Sequence, residues 1–428
     1  MSATFGIRVS YVALEFLCGL VLARILTASS FGAYAFVMAC VGLLAVPAAA
    51  GFDRLLIREV SRLTAGREWG LLRGLLRHAN LVAVPLATSL ALALAAASHW
   101  LVAKRSPELA QTLIAGSLLV PIVAFARVRQ ATLQGLGHVA LGQVPEMLVQ
   151  PATVLLLAIA AHQLLGLPQT GAQAIMLQVI GAAIACGIGV AWLRRLLPAE
   201  VGESPIRMRR AEWTRSSLPF IWLLGLTVVL MNIDTVMIGL LETSADAGIY
   251  RTASQMAAFV AFPLTAANMV AAPAIAVLYG GRDDQGLQLR VRQASRVALI
   301  GAVPIAAALI AFGNPVLAMF GPEFTSGYRS LVILTLGYLV NASMGVAGYV
   351  LIMTRFERVA ATCFMVAVAL DLALNALLIP RWGIEGAATA TCVSLIVLSL
   401  LMNREVHRRT GVSASAFARP VSRTEPRR

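Results

Sequence analysis

The sequence predicts an all-α integral membrane protein, with twelve transmembrane helices in two pseudo-symmetric six-helix lobes around a central cavity. Three observations carry this. The 428 residues are 59% hydrophobic and only 13% charged, against about 25% charged in soluble proteins, and the mean hydropathy is +0.81. Apolar runs of about 20 residues, the length that crosses a bilayer, recur along the whole chain. Lysine and arginine gather in alternate loops, the bias that orients membrane proteins.

In order, the spans read as 4–26, 32–52, 79–103, 108–130, 143–164 and 168–193 in the first half, and as 214–241, 248–279, 294–319, 327–353, 359–379 and 384–403 in the second. The first carries Arg8, Glu15 and Arg24 and is longer than a signal-peptide core, so it reads as a retained span. The chain begins only a few residues before it, which suits a start codon further upstream. Short polar turns follow the first and seventh spans, TASSF at 27–31 and ETSADA at 242–247. Ser61–His78 mixes leucines, arginines and a tryptophan and predicts an amphipathic helix lying on the membrane interface. Prolines at 47, 85, 121, 151, 219, 263, 273 and 304 sit inside spans and permit kinks.

Domain limits follow from the polar stretches: an N-terminal lobe 1–195, a linker 196–213, a C-terminal lobe 214–403 and a basic tail 404–428. The tail is expected to rest against anionic headgroups. Of the 34 basic residues, 28 fall on the side of the two termini. Lys104, Arg105, Arg329 and Arg381 fall opposite and Arg24 and Arg251 lie near span ends, which assigns both termini to the cytoplasm. In a soluble chain a net charge of +14 would suggest nucleic acid; here it reads as loop bias, and no nucleic-acid partner is expected.

The halves resemble each other. A shift of 216 residues lays Thr27 on Thr243, Gly32 on Gly248, Tyr34 on Tyr250 and Pro47 on Pro263, and a shift of 220 lays Val139-Ala140 on Val359-Ala360. A duplicated unit of six spans enters the membrane from the same side both times. The repeat is therefore parallel, its axis along the membrane normal.

Enzyme chemistry finds no foothold. Walker A, GxSxG and HExxH sequences are missing, the five histidines are dispersed, and the five cysteines lie in apolar runs without metal-ligand spacing. Neither an enzyme nor a cofactor nor a metal site is expected. The informative residues are the ionisable groups inside spans, each costing about 2.5–3.5 kcal/mol on insertion scales. Arg8, Arg54, Arg127 and Glu146 lie near span ends and read as snorkelling to the headgroups. Glu15, Asp234 and Asp371 lie deep, should face a cavity or an internal partner, and are the candidates for ion coupling. Asp234→Asn is accordingly expected to impair function more than Glu146→Gln.

Four segments carry a family resemblance: LARILTASSFGAYAFVMACVGLLAVPAAAGFDRLLIREVSR (22–62), LQGLGHVALGQV (133–144), NIDTVMIGLLETSADAGIYRTASQM (232–256) and LNALLIPRWGIEGAATATCVS (374–394). In order and spacing they resemble the polysaccharide-exporter family, the O-antigen and oligosaccharide flippases of the multidrug/oligosaccharidyl-lipid/polysaccharide exporter superfamily. The resemblance implies a transporter of the bacterial cytoplasmic membrane. It would move a polyprenyl-diphosphate-linked oligosaccharide to the outer leaflet by alternating access, for surface polysaccharide assembly. Its implied partners are the lipid-linked glycan, membrane lipids, and glycan polymerase or assembly proteins. By motif position Arg24, Arg58 and Arg251 become the cavity cations for the diphosphate, whose oxygens a guanidinium fork fits bidentately; Arg251 and Asp371 depart from the family pattern. Alternatives are a multidrug or lipid II exporter of the same fold and, in another class, a membrane glycosyltransferase or polymerase.

Overall fold

The computed structural model describes residues 2–102, 106–281 and 283–417, which form helices and turns with no β-strand among them. Lys104, Arg105, Arg282 and the basic tail from 418 onward lie outside the described residues. The chain divides into two compact units, Met1–Gly239 with Thr243–Gly248, and Leu240–Glu242 with Ile249–Arg428.

The first unit opens with α1 (Ser2–Ile25), α2 (Ala28–Ala48), α3 (Phe52–Ala65) and α4 (Trp69–Ala97), continuing into α5 (Pro107–Ser117) and α6 (Leu119–Gly135). The short α7 (Val139–Val144) runs through a π-helical turn, Pro145–Val149, into α8 (Gln150–Leu165). Then come α9 (Gly171–Leu196), α10 (Ala199–Glu203) and α11 (Arg210–Leu241). Thr27 caps α2 by accepting from the Ser30 amide at 3.2 Å, and Thr170 and Gln173 form a reciprocal capping box on α9.

The expected amphipathic helix over Ser61–His78 is corrected. The chain breaks at 66–68, where Arg67 takes a φ of +53°, so these residues end α3 and begin α4. The amphipathic element is α3 itself. Phe52, Leu55, Leu56, Val60 and Leu63 recur at helical spacing, are fully buried, and pack with Leu72 and Leu75 of α4. Leucines read as membrane-facing therefore face another helix. His78 seals the cluster: its Nε2 lies 3.0 Å from the Thr214 hydroxyl, and its ring lies 5.6 Å from Phe52 and 5.9 Å from Trp213.

α12 (Ser244–Ala257) leads into the second unit, with α13 (Phe262–Gly280), α14 (Asp284–Ala318), α15 (Tyr328–Met344), α16 (Val346–Met353) and α17 (Glu357–Thr410). Ten helices among the described residues are long and apolar enough to cross a membrane, eleven if the pair Pro322–Met344 and Val346–Met353, bent by 42°, is one span. α17, at 54 residues, would reach about 80 Å if straight. It is not straight. Gly383 adopts φ 53° and ψ −132°, and a Cβ on Gly386 would come within 2.3 Å of the Leu378 carbonyl oxygen, so the chain folds back there into two arms. Glycine is required at 383 because a side chain resists positive φ.

Beyond Thr410 the tail does not lie loose. Val412, Ala414 and Ala416 are buried. Gln288 of α14 exchanges two hydrogen bonds with the Ser413 backbone, at 2.9 and 2.8 Å. Ser295 donates to the Ala414 carbonyl at 2.7 Å, Arg296 to that of Ala416 at 3.0 Å, and the Ala416 amide to the Ser343 carbonyl at 2.9 Å. Residues 412–416 thus strap α14 to α15. The expectation of a headgroup-bound tail fails for this stretch, because alternating small residues bury themselves while the backbone finds polar partners.

The repeated residues repeat their roles. Tyr34 accepts from Gln178 of α9 at 2.8 Å, and Tyr250 lies 3.0 Å from the Thr391 hydroxyl of α17. Thr243 caps α12 as Thr27 caps α2, accepting from the Asp246 amide at 3.2 Å. Gly32 and Gly248 meet. A Cβ on Gly32 would stand 1.6 Å from the Ser244 carbonyl oxygen, and one on Gly248 would stand 2.9 Å from the Gly32 Cα. No side chain fits at either glycine.

Candidate functional site

The residues singled out in the sequence occupy several helices. On α1, Glu15 and Arg24 are both exposed, Arg24 in the last turn. Arg58 is 57% exposed in the second turn of α3, where its Nε donates to Glu59 at 3.1 Å. The 21 residues of α2 lie between the two arginines in sequence and correspond to about 31 Å of helix. Arg251 is half-buried on α12, one residue after the Tyr250 that pairs with Thr391.

The carboxylates divide. Asp234 of α11 is 5% exposed, and Asp371 of α17 is fully buried, as is Asn375 one turn later, whose amide donates to Asp371 at 3.1 Å. Glu15 differs from both in being exposed. Among the described residues, no group of three or more His, Cys, Asp or Glu side chains is placed to hold a metal ion.

A second constellation escaped the sequence reading. Arg127 and Arg129 were expected at the cytoplasmic end of the fourth span, with Glu146 reaching the same surface. α6 instead runs on to Gly135, so both arginines lie about two turns inside it. Arg129 is 2% exposed and donates to Glu146, which lies in the π-helical turn between α7 and α8. Snorkelling is therefore corrected for Glu146: its carboxylate points inward to a buried guanidinium. Gly189 of α9 makes the room, since a Cβ there would stand 1.9 Å from an Arg129 terminal nitrogen. Burying both charges together is tolerable where burying either alone is not.

Beside this pair lies a cavity of ≈ 280 Å³, bounded by α1, α6, the turn before α8, α8 itself and α9. Tyr11, Arg127, Gln130, Glu146 and Gln150 supply its polar wall, and Ile122, Val123, Met147 and Ala182 most of its apolar wall. Arg127 is half-buried there. The signal for this site was present as R-x-R followed by a glutamate seventeen residues on, but it has meaning only once α6 is known to continue past both arginines.

Comparison with known proteins adds the following. Residues 21–329 match a family model described as "Polysaccharide biosynthesis protein". The probable low-salt glycan biosynthesis flippase Agl15 of Haloferax volcanii is 25% identical over 169 residues, 39% of this chain and 36% of that protein. The chain thus spans about a third of the length of the curated relative it matches. Among solved structures, it is similar to an inward-facing multidrug resistance MATE family transporter of the MOP superfamily, with a TM-score of 0.78 at 13% identity over 94% of both chains. It is similar also to the lipid II flippase MurJ in an inward closed conformation, with a TM-score of 0.72 at 12% identity over 94% of this chain and 86% of that one. At such identities the likeness is one of fold.

Proposed function

Because the chain belongs to the polysaccharide biosynthesis protein family, we propose that it is a membrane transporter that flips a polyprenyl-diphosphate-linked oligosaccharide from the cytoplasmic to the outer leaflet. In this reading the chain crosses the bacterial cytoplasmic membrane twelve times, both termini are cytoplasmic, and no nucleotide is hydrolysed. Its two six-helix lobes work by alternating access, serving surface polysaccharide assembly alongside glycan polymerase or assembly proteins.

What supports it is the family, together with two arginines separated in sequence by a helix about as long as a bilayer is thick. Moving such a lipid means carrying a diphosphate and a sugar chain across about 30 Å of hydrocarbon while the polyprenyl tail stays in lipid. Arg58 and Arg24, set apart by the length of α2, suit capture at one face and release at the other, with Arg251 as a third cation. Glu15, Asp234 and Asp371 are the groups proposed to couple transport to an ion.

A quantitative export assay tests the reading. Deleting the gene should leave a full-length lipid-linked glycan on the cytoplasmic leaflet. Arg24→Lys and Arg58→Lys, which keep charge but lose the planar fork, should export partly, and the two Ala variants hardly at all. Full activity of Arg24→Ala and Arg58→Ala would remove both residues from the substrate path.

A further inference from the structure

We infer that the cavity beside Arg127 in the first unit is a binding site for a phosphate group, separate from Arg24, Arg58 and Arg251. Charge carries the argument. Among the described residues Arg127 has no hydrogen bond and no ion pair within 4.0 Å. Asp53 acts on it from further away, offset in part by Arg54. The one carboxylate in the cavity wall, Glu146, is already engaged by Arg129. At the cavity, Arg127, Arg129 and Glu146 therefore leave one positive charge with no carboxylate in contact with it. Such a charge is costly in lipid and is retained where it meets an anion.

Shape narrows the ligand. At ≈ 280 Å³ the cavity lies just below the range of about 300–1,000 Å³ typical of sites for drug-sized ligands, so it admits a head group and excludes an oligosaccharide. A guanidinium presents parallel N–H donors that fit two oxygens of a phosphate. The Gln130 and Gln150 amides line the same space, and Gln150 is held through Gln178, whose amide donates in turn to Tyr34. Ile122, Val123 and Met147 form the apolar side, and an apolar wall strengthens an ionic contact by lowering the local dielectric. The phosphate can be the diphosphate of a lipid-linked substrate or a free anion. Only the first assignment rests on the flippase reading; the anion site rests on Arg127.

The test uses the full-length protein purified in detergent, titrated with inorganic diphosphate, farnesyl diphosphate and, as a control without phosphate, farnesol. Both diphosphates should bind saturably and raise the melting temperature, and farnesol should do neither. Arg127→Gln should weaken both by about tenfold or more, with Arg127→Lys between. Tighter binding of farnesyl diphosphate supports the site and assigns a lipid source; equal binding of both supports it and assigns a free anion. If Arg127→Gln does not fold, Gln130→Leu takes its place and should weaken binding several-fold. No binding to wild type, or unchanged affinity in whichever variant folds, overturns the inference. Glycan accumulation in the deletion strain stands or falls independently of these titrations, so failure of this site and failure of the flippase reading are separable.

Discussion

Arg129 is held in place by two residues distant in sequence, Glu146 through charge and Gly189 through space. Removing one member of a buried ion pair leaves the other uncompensated, at a cost of about 3–5 kcal/mol, whereas replacing both by apolar groups of similar volume is often neutral. Glu146→Gln is therefore expected to lower the melting temperature and yield of the purified protein sharply, and the double change Arg129→Met with Glu146→Leu to recover most of both. Equal melting of wild type and Glu146→Gln would show that the pair contributes no stability. The expected ranking of Asp234→Asn above Glu146→Gln loses its basis, since it assumed that Glu146 reaches the interface. That error was one of boundary: ending the fourth span at 130 instead of 135 put Arg127 and Arg129 within reach of the headgroups, when they lie about two turns inside α6. Asp234 and Asp371, well inside their runs, were legible as buried because no shift of a few residues would bring them out.

At the scale of the element, Gly32 and Gly248 are where α2 and the start of α12 come together without a side chain between them. Gly32→Ala would drive a methyl into the Ser244 carbonyl, and overpacking of this kind typically costs about 1–3 kcal/mol. Gly6 of α1, with nothing within 4 Å of its Cβ position, is the control, and Gly6→Ala should be neutral or slightly stabilising. Thermal melts of the two variants decide it: identical curves would mean that the helices separate without loss. Both glycines stood out in the sequence as a matched pair, yet a match at a fixed shift does not tell whether the matched residues touch. The α3–α4 turn was harder still. A stripe of leucines every three or four residues looks the same whether it faces lipid or another helix, and only the break at 66–68 distinguishes them.

For the whole molecule, the strong reading is topological. Cysteines at Ser29 and Ala245, in the first turns of α2 and α12, should react with impermeant thiol reagents in intact cells, and one at Gly202 only after permeabilisation. Labelling at 202 in intact cells would invert the proposed orientation. All three positions are accessible enough for the comparison, Ser29 and Gly202 being exposed and Ala245 half-buried. Placing Arg127 and Arg129 well inside α6 subtracts two charges from one side and leaves the asymmetry in force. Composition alone made the helical membrane architecture legible, and the four motifs made the family legible. The cavity was not, because its wall draws on residues from Tyr11 to Ala182 that only packing brings together.

The strap at 412–416 has a consequence for biosynthesis. It is translated after every helix of its unit, so α14 and α15 enter the membrane while Gln288, Ser295 and the Ser343 carbonyl still lack the backbone partners that the finished protein provides. Insertion of the helices and completion of the fold are therefore separate events, the second waiting on the ribosome to pass residue 416. A message broken just after codon 410 would yield a chain with all its membrane helices and an unfinished surface, the kind of product that a membrane protease can tell from the complete one.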